Sequence, residues 1–501
     1  MSEPIRKIVI VGGGTAGWMT AAPLAQRLGK TCEIELIESP DIGTIGVGEA
    51  TLPTIRYYNR SLGLDGADFI KKTQATFKLG IEFCDWGHIG NRFFHGFGDF
   101  GPRIDNRSPH HHWLRLRAEG DTTPFEDWSM STVMARYNKF MPPTEGTPSP
   151  LNAFSYAFQF DAGLYARFLR DYAMQRGTRR TEGKVVDVQL RSNDGFIDSL
   201  LLDDGCVVSG DLFIDCSGFR GLLIEGAMKA GFEDWTPYLP CDSAQAVPCR
   251  RVEPLTPYTR STAHASGWQW RIPLQHRTGN GHVYCSGFIG DEDAGKTLMN
   301  SLDGEALDDP RQLRFTTGRR RKSWVKNCIA VGLSSGFVEP LESTSIQLIE
   351  NGVGRIIEYF PDRTCDANLA DEYNRQMQAH YERVRDFIIL HYKLTARDDS
   401  DFWRYCRDMA IPDSLEHQIE TFKRSGRVVI YDPEGFTEPS WLALYLGLGV
   451  IPQGHDPFVD TMDLAQLRSH FLRVRQSVSS AVKTLPTMSH YIAQQVQAPP
   501  M

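Results

Sequence analysis

The feature that most constrains this chain is the run Gly12-Gly13-Gly14-Thr15-Ala16-Gly17. It lies between an apolar stretch at residues 8–11 and a helix-patterned stretch, Thr15–Leu28. In a GxGxxG so placed, the first glycine permits a tight turn and the second lets the backbone approach a pyrophosphate. The third allows close helix–strand packing, and the helix N-terminus faces the phosphates. Glu38 follows Gly17 by 21 residues, at the end of a second strand over 33–37. A carboxylate there can bind a ribose 2′-hydroxyl and disfavours a 2′-phosphate, which leaves FAD or NAD rather than NADP. Two later stretches, DLFIDCSG at 211–218 and VGLSSG at 331–336, also run from a strand into a small-residue turn. A simple NAD domain needs only the first unit, whereas several such segments fit the longer FAD. The bland alternative is a glycine turn with no ligand.

Charge and hydropathy remove other classes. Fifty-four Lys and Arg against 62 Asp and Glu give a net charge of −8, so no basic face is available for nucleic acid. No apolar run approaches the roughly 20 residues that span a bilayer. The opening MSEPIRKIVIVGGG reads as a strand and not a secretory signal. The ten cysteines are scattered singly, as expected for buried thiols in a reducing cytoplasm rather than for a metal cluster or a disulfide framework. His110, His111 and His112 are expected in a polar loop, because adjacent residues converge poorly on one metal ion.

The pattern changes in the last third. Leu369, Tyr373, Met377, Tyr381, Val384, Ile388 and Tyr392 recur at helical spacing, as do Leu464, Leu467, Phe471, Val474 and Val478. Further strands are expected at 185–188, 200–202, 212–214 and 328–331, and a long surface loop at 141–150. The fold class is therefore α/β: a Rossmann-like FAD-binding module with a mixed sheet, plus a helix-rich substrate module, sharing one core. The first is expected at about 1–100 and 160–350, the second at about 101–159 and 351–501.

Two other segments carry chemistry-bearing residues. FVEPLESTSI, 337–346, opens a helix expected to run to about Tyr359, with Pro340 at its first turn and the cap-type residues Ser343 and Thr344. Its first amides offer an anion site, or simply an ordinary N-cap. In GWQWRIP, 267–273, Trp268 and Trp270 point the same way from a strand, as core residues usually do.

Together with the GxGxxG, WxWxIP resembles the defining marks of the flavin-dependent tryptophan halogenases. The resemblance extends to IESPDIGTIGVGEAT (37–51), FKLGIEF (77–83), DLFIDCSGFRGLL (211–223) and FVEPLESTS (337–345), in family order. It implies that reduced FAD and O2 convert a halide ion to hypohalous acid, which travels through the protein to a lysine facing an electron-rich ring. Lys78 matches that lysine and Glu342 the family's essential acid. The alternative for these two is an ion pair tying strand to helix. Thr344 and Ser345 occupy the halide position, Trp268 and Trp270 a wall between flavin and substrate, and residues 42–49 a strap linking the two sites. The implied flavin contacts are Gly12, Gly13, Gly14, Thr15, Ala16, Gly17, Glu38, Ser39, Ile42, Ile45, Val47, Glu49, Val185, Leu333 and Ile346, with no metal.

His95 and Phe97 match the pair that sandwiches the substrate ring. The chain departs from the family at Ser345, where the family's tryptophan enzymes have glycine. It departs again at 424–436, RSGRVVIYDPEGF, which lacks the Tyr-Tyr and Phe-Trp that hold an amino acid's charges. Phe436 and Trp441 remain candidates for an aromatic pocket. The resemblance thus implies an FADH2- and O2-dependent chlorinating or brominating enzyme acting on an indole or similar ring other than free tryptophan. It also implies a separate flavin reductase as partner, no membrane, and a homodimer as the assembly to test. The competing readings are a single-component flavin monooxygenase and a non-catalytic flavin- or aromatic-binding homologue.

Overall fold

The computed structural model describes residues 3–39, 48–143, 149–432 and 435–501. The chain forms two compact units. The first comprises Met1–Ala75, Phe160–Asp242 and Arg314–Val384, and the second Thr76–Gln159, Ser243–Leu313 and Arg385–Met501. Residues 76–100 and 243–313, grouped by sequence with the nucleotide module, pack within the second unit. The 27-residue helix Ala367–Lys393 contributes to both.

The first unit is built on a six-stranded sheet in the order Trp324–Val325, Cys328–Ala330, Leu212–Asp215, Lys7–Val11, Glu33–Glu38, Arg179–Glu182. All but the first strand run parallel; Val9 lies opposite Phe213 on one side and Glu35 on the other. Strands covered on both faces read as unbroken apolar runs, which is why KIVIV and LFID carry so little polarity. Val9, Val11, Ile37 and Phe213 share a core with Leu200, Leu202 and Val208 from the antiparallel strands Val185–Leu190, Ile197–Leu202 and Val207–Ser209. The helix Thr15–Leu28 packs on Ala162–Met174 and Thr344–Glu358, so its residues 17–25 are buried all round.

A seven-stranded sheet forms the second unit: Arg311–Arg314, Ser243–Arg250, Arg277–Tyr284, Gly267–Pro273, Thr259–His264, Gly80–Cys84, Arg92–Gly96. Its central strands, Gly267–Pro273 and Arg277–Tyr284, are buried along their whole length. Around it lie the helices Pro109–Ala118, Asp413–Ser425, Glu438–Gly447 and Leu464–Thr484. Trp86 edges onto Phe83, Tyr392 and Trp403 and lies 6.4 Å from Trp268, forming an aromatic core.

Two expectations need correction. His110, His111 and His112 are not a polar loop: they form the first turn of Pro109–Ala118, and all three are buried. For His110 and His111 burial is tolerable because a neutral imidazole can both donate and accept, and both rings have partners. Cys206 is exposed, although all ten cysteines are free thiols. Within 141–150, residues 144–148 lie outside the described residues, and Pro150 opens a 3₁₀ turn capped by Ser149. Among the described residues no helix is long and apolar enough to cross a membrane.

Candidate active site

The three glycine segments converge in the first unit. Gly12 has φ +116°, and a Cβ there would meet the Cys216 carbonyl at 2.2 Å; one on Gly332 (φ +70°) would meet Ala16 at 2.7 Å. Asp215, buried at the end of its strand, ties two of the segments. It accepts from Ser217 N and Oγ at 2.9 and 2.6 Å, from Leu223 N and Ile224 N at 2.7 and 2.8 Å, and from Ser334 Oγ at 3.0 Å. Five donors offset the desolvation that an isolated buried carboxylate would suffer. A Cβ on Gly17 would meet Gly12 O at 1.8 Å, the close helix–strand approach expected of the third glycine. One on Gly14 would meet nothing within 4 Å.

Glu38 folds back over Gly13 and pairs with Arg180. Glu49, on the strand Gly48–Ala50, is pushed by burial up to about 7. Val185 packs in the hydrophobic core, and Leu333 is exposed on the 3₁₀ turn Gly332–Ser334. Ser39 follows the second strand; Ile42, Ile45 and Val47 lie outside the described residues.

The helix expected from Pro340 is interrupted. Pro340–Glu342 is a 3₁₀ turn, Ser343 is left-handed (φ 62°), and the α-helix proper runs Thr344–Glu358. A residue in that conformation breaks the right-handed register, so the turn cannot continue into the helix. Glu342 and Thr344 are both buried completely, and Ile346 nearly so. The Thr344 hydroxyl is buried without a hydrogen-bond partner, while Ser345 is half-buried.

In the second unit, Lys78 ends the strand Thr76–Lys78, paired with Ala157, and is wholly buried. Phe97 N donates to Leu79 O at 2.8 Å, which brings its ring to 5.2 Å from Lys78 Nζ. His95 lies 6.3 Å from Phe97, 5.8 Å from Phe387 and 6.3 Å from Phe436. Phe436 stacks on Phe387 at 3.8 Å, and Trp441 meets Phe387 edge-on at 5.1 Å. His95, Phe436 and Trp441 are thus gathered around Phe387, and Phe97 links His95 to Lys78. Sequence reasoning did not single out Phe387 or its neighbour His391, whose only signal was their place on a periodic helix. Trp268 and Trp270 stand side by side on Gly267–Pro273, ring centroids 6.2 Å apart and both buried. A Cβ on Gly281 would strike Trp270 at 2.1 Å, so the glycine leaves room for that ring.

The tryptophan halogenase family model matches residues 7–464. The chain belongs to that family. It is 35% identical to the tryptophan 6-halogenase SttH of Streptomyces toxytricini, over 97% of this chain and 98% of the relative. It is 33% identical to the tryptophan 7-halogenase RebH of Lentzea aerocolonigenes, over 99% of each. Among solved structures, BrvH, a flavin-dependent halogenase from Brevundimonas sp. BAL3, superposes with a TM-score of 0.95 at 47% identity, covering 99% of both chains. The protein is therefore a flavin-dependent halogenase, an enzyme that halogenates an aromatic substrate and works with a separate flavin reductase.

The halogenase's histidine helix carries a pH signature. Burial, with a smaller contribution from His111, pushes His110 down to about 3 from its ordinary 6.5. Because the folded value is depressed, the unfolded chain binds the proton first, and stability is lost as pH falls from 6.5 toward 3. At pH 5 the difference is about 2 kcal/mol for this one residue. His110→Gln does not titrate, so between pH 7.5 and 5 it should lose about 2 kcal/mol less than wild type. Urea midpoints at both pH values measure this. Glu49 and Glu350, pushed by desolvation up to about 7 and about 8, respond in the opposite sense but are common to both proteins. Equal pH dependence in the two proteins would show that His110 carries a proton in the fold.

Proposed function

We propose that this halogenase acts on neutral indole, or on an indole within a larger molecule, in preference to free tryptophan, and that Lys78 presents the halogen to the ring. The observation that carries the reading is the buried Lys78 beside Phe97, which meets His95 and through it the aromatic set Phe387, Phe436 and Trp441.

The residues fit FAD. The Gly14 position leaves open space at the start of Thr15–Leu28 that suits a pyrophosphate, and Glu38 is the carboxylate that would accept from a ribose hydroxyl. When bound and reduced, the flavin supplies with O2 the oxidising power that turns a halide ion into hypohalous acid. The unpartnered Thr344 hydroxyl and the first amides of Thr344–Glu358 suit the halide, and the Ser345 side chain adds bulk that can shift halide preference. Trp268 and Trp270 keep organic substrate away from the oxidising centre.

As ammonium, Lys78 hydrogen-bonds hypohalous acid: the ring's most electron-rich carbon takes the halogen, the oxygen–halogen bond breaks, and the lysine's proton turns the departing hydroxide into water. As amine, Lys78 takes the halogen from hypohalous acid with loss of water, and the nitrogen–halogen bond breaks when the ring carbon takes it, the nitrogen recovering a proton. The resemblance assigns to Glu342, a buried carboxyl of the first unit, the proton lost as aromaticity returns.

The substrate preference rests on charge. A zwitterion held in an apolar site needs partners for both ends, and an unpaired buried charge costs several kcal/mol, on the order of a thousandfold in affinity. Residues 424–436 contain neither Tyr-Tyr nor Phe-Trp. At equal concentration, with bromide and an added reductase, indole should show the higher kcat/KM. A higher value for free tryptophan, with one regioisomer, would mean that other residues clamp its charges.

A further inference from the structure

The segment that carries Phe436 and Trp441 is tied down by one helix and the turn before it. Arg103 pairs with Glu438, Arg107 approaches Asp456 at 3.8 Å, and Arg115 donates to the carbonyls of Val459 and Met462 at 2.7 Å each. The exposed ion pairs contribute little. The buried ties come from histidines. His110 Nε2 lies 2.7 Å from the Gly426 carbonyl, and His111 Nδ1 lies 3.3 Å from the amide of Asp456. Gly426 closes the helix Asp413–Ser425 in a left-handed conformation, φ +69°. Ten residues further on, Phe436 stacks against Phe387.

The hydrogen bonds define the tautomers. A carbonyl only accepts, so His110 Nε2 carries the hydrogen. A neutral ring then leaves Nδ1 bare to accept from Ser108 Oγ, 2.8 Å away. His111 Nδ1 accepts from a backbone amide and is bare for the same reason. Ser108, His110 and the Gly426 carbonyl therefore form a directed chain, buried throughout at its two side chains, that anchors the start of residues 427–432.

We propose that His110 is a positioning residue for the aromatic pocket: by holding Gly426 it sets where Phe436 lies, and so governs substrate affinity and regiochemistry without touching substrate. The proposal rests on the reading of Phe436 and Trp441 as substrate contacts. Loss of the donor leaves a buried carbonyl unpaired, which frees the segment to shift.

The test compares full-length wild type with His110→Leu, His110→Gln and Ser108→Ala, using indole, bromide and an added flavin reductase. His110→Leu should raise the KM for indole roughly tenfold, with kcat within about twofold, and broaden the product isomers. His110→Gln, whose amide nitrogen can reach the same carbonyl, should keep KM within about threefold of wild type, and Ser108→Ala should raise it roughly threefold. Flavin reoxidation should be unaffected in all three. An unchanged KM in both His110→Leu and Ser108→Ala, or a glutamine variant as impaired as the leucine one, would overturn the proposal. Should His110→Leu fail to fold, an unchanged KM in Ser108→Ala overturns it alone. Wild type that makes no bromoindole would instead defeat the substrate reading. Hydrogen exchange at 427–437 then decides the anchor: faster in Ser108→Ala supports it, unchanged exchange contradicts it.

Discussion

Lys78→Ala is expected to make no detectable halogenated product while reduced flavin continues to be reoxidised at close to the wild-type rate. The lysine lies in the second unit beside Phe97, and the glycine segments that suit the flavin lie in the first. Its assigned role begins only after the halide has been oxidised, so its loss should uncouple oxidation from transfer. A positioned proton donor or carrier is worth about 10²–10⁴ in rate, enough to remove product from ordinary mass-spectrometric detection. Lys78→Met, closer in volume, should behave the same way and separates the missing nitrogen from a cavity. Product at near wild-type rate in either variant would exclude Lys78 as the halogen carrier.

Gly14→Val should abolish tight FAD binding and leave the fold intact. The glycines of the loop differ in what a side chain would meet. At Gly12 and Gly17 a Cβ would run into backbone carbonyls at 2.2 and 1.8 Å, so substitution there damages the fold itself. At Gly14 it would enter space with nothing within 4 Å. On the proposed reading the pyrophosphate takes up that space, so valine should lower FAD affinity by orders of magnitude with an unchanged thermal midpoint. Flavin titration followed by fluorescence measures it. Wild-type affinity in the folded variant would show that the loop is only a structural turn.

The two predictions differ in how far their residues were legible. The βαβ unit could be read from the chain because glycine spacing, apolar runs and the acid at Glu38 all specify the same geometry. The helix Thr15–Leu28 appears as expected, and the later strands appear within one or two residues at most boundaries. Lys78, His95 and Phe97 were found through resemblance, since a lysine or histidine beside phenylalanine is ordinary core in isolation. Phe387 was not found. On the amphipathic helix Ala367–Lys393 it presents the same apolar periodicity as its purely structural neighbours, and only its contacts with His95, Phe436 and Trp441 set it apart.

Two misreadings have physical causes. Three consecutive histidines read as polar, yet a helix enclosed by other elements buries them; the neutral rings of His110 and His111 find partners in Ser108 Oγ, Gly426 O and Asp456 N. The left-handed Ser343 was invisible because positive φ is uncommon outside glycine and has no reliable sequence mark. That one residue moves the start of the α-helix to Thr344 and separates Glu342 from it.

The most direct test of Lys78 as the point of halogen transfer is a structure with indole bound. The ring should lie beside His95 and Phe97, with its most electron-rich carbon about 5 Å from Lys78 Nζ. That distance is a near-attack separation of about 3–3.5 Å plus one nitrogen–halogen bond. An indole seated elsewhere, with Lys78 out of reach of every ring carbon, would contradict it.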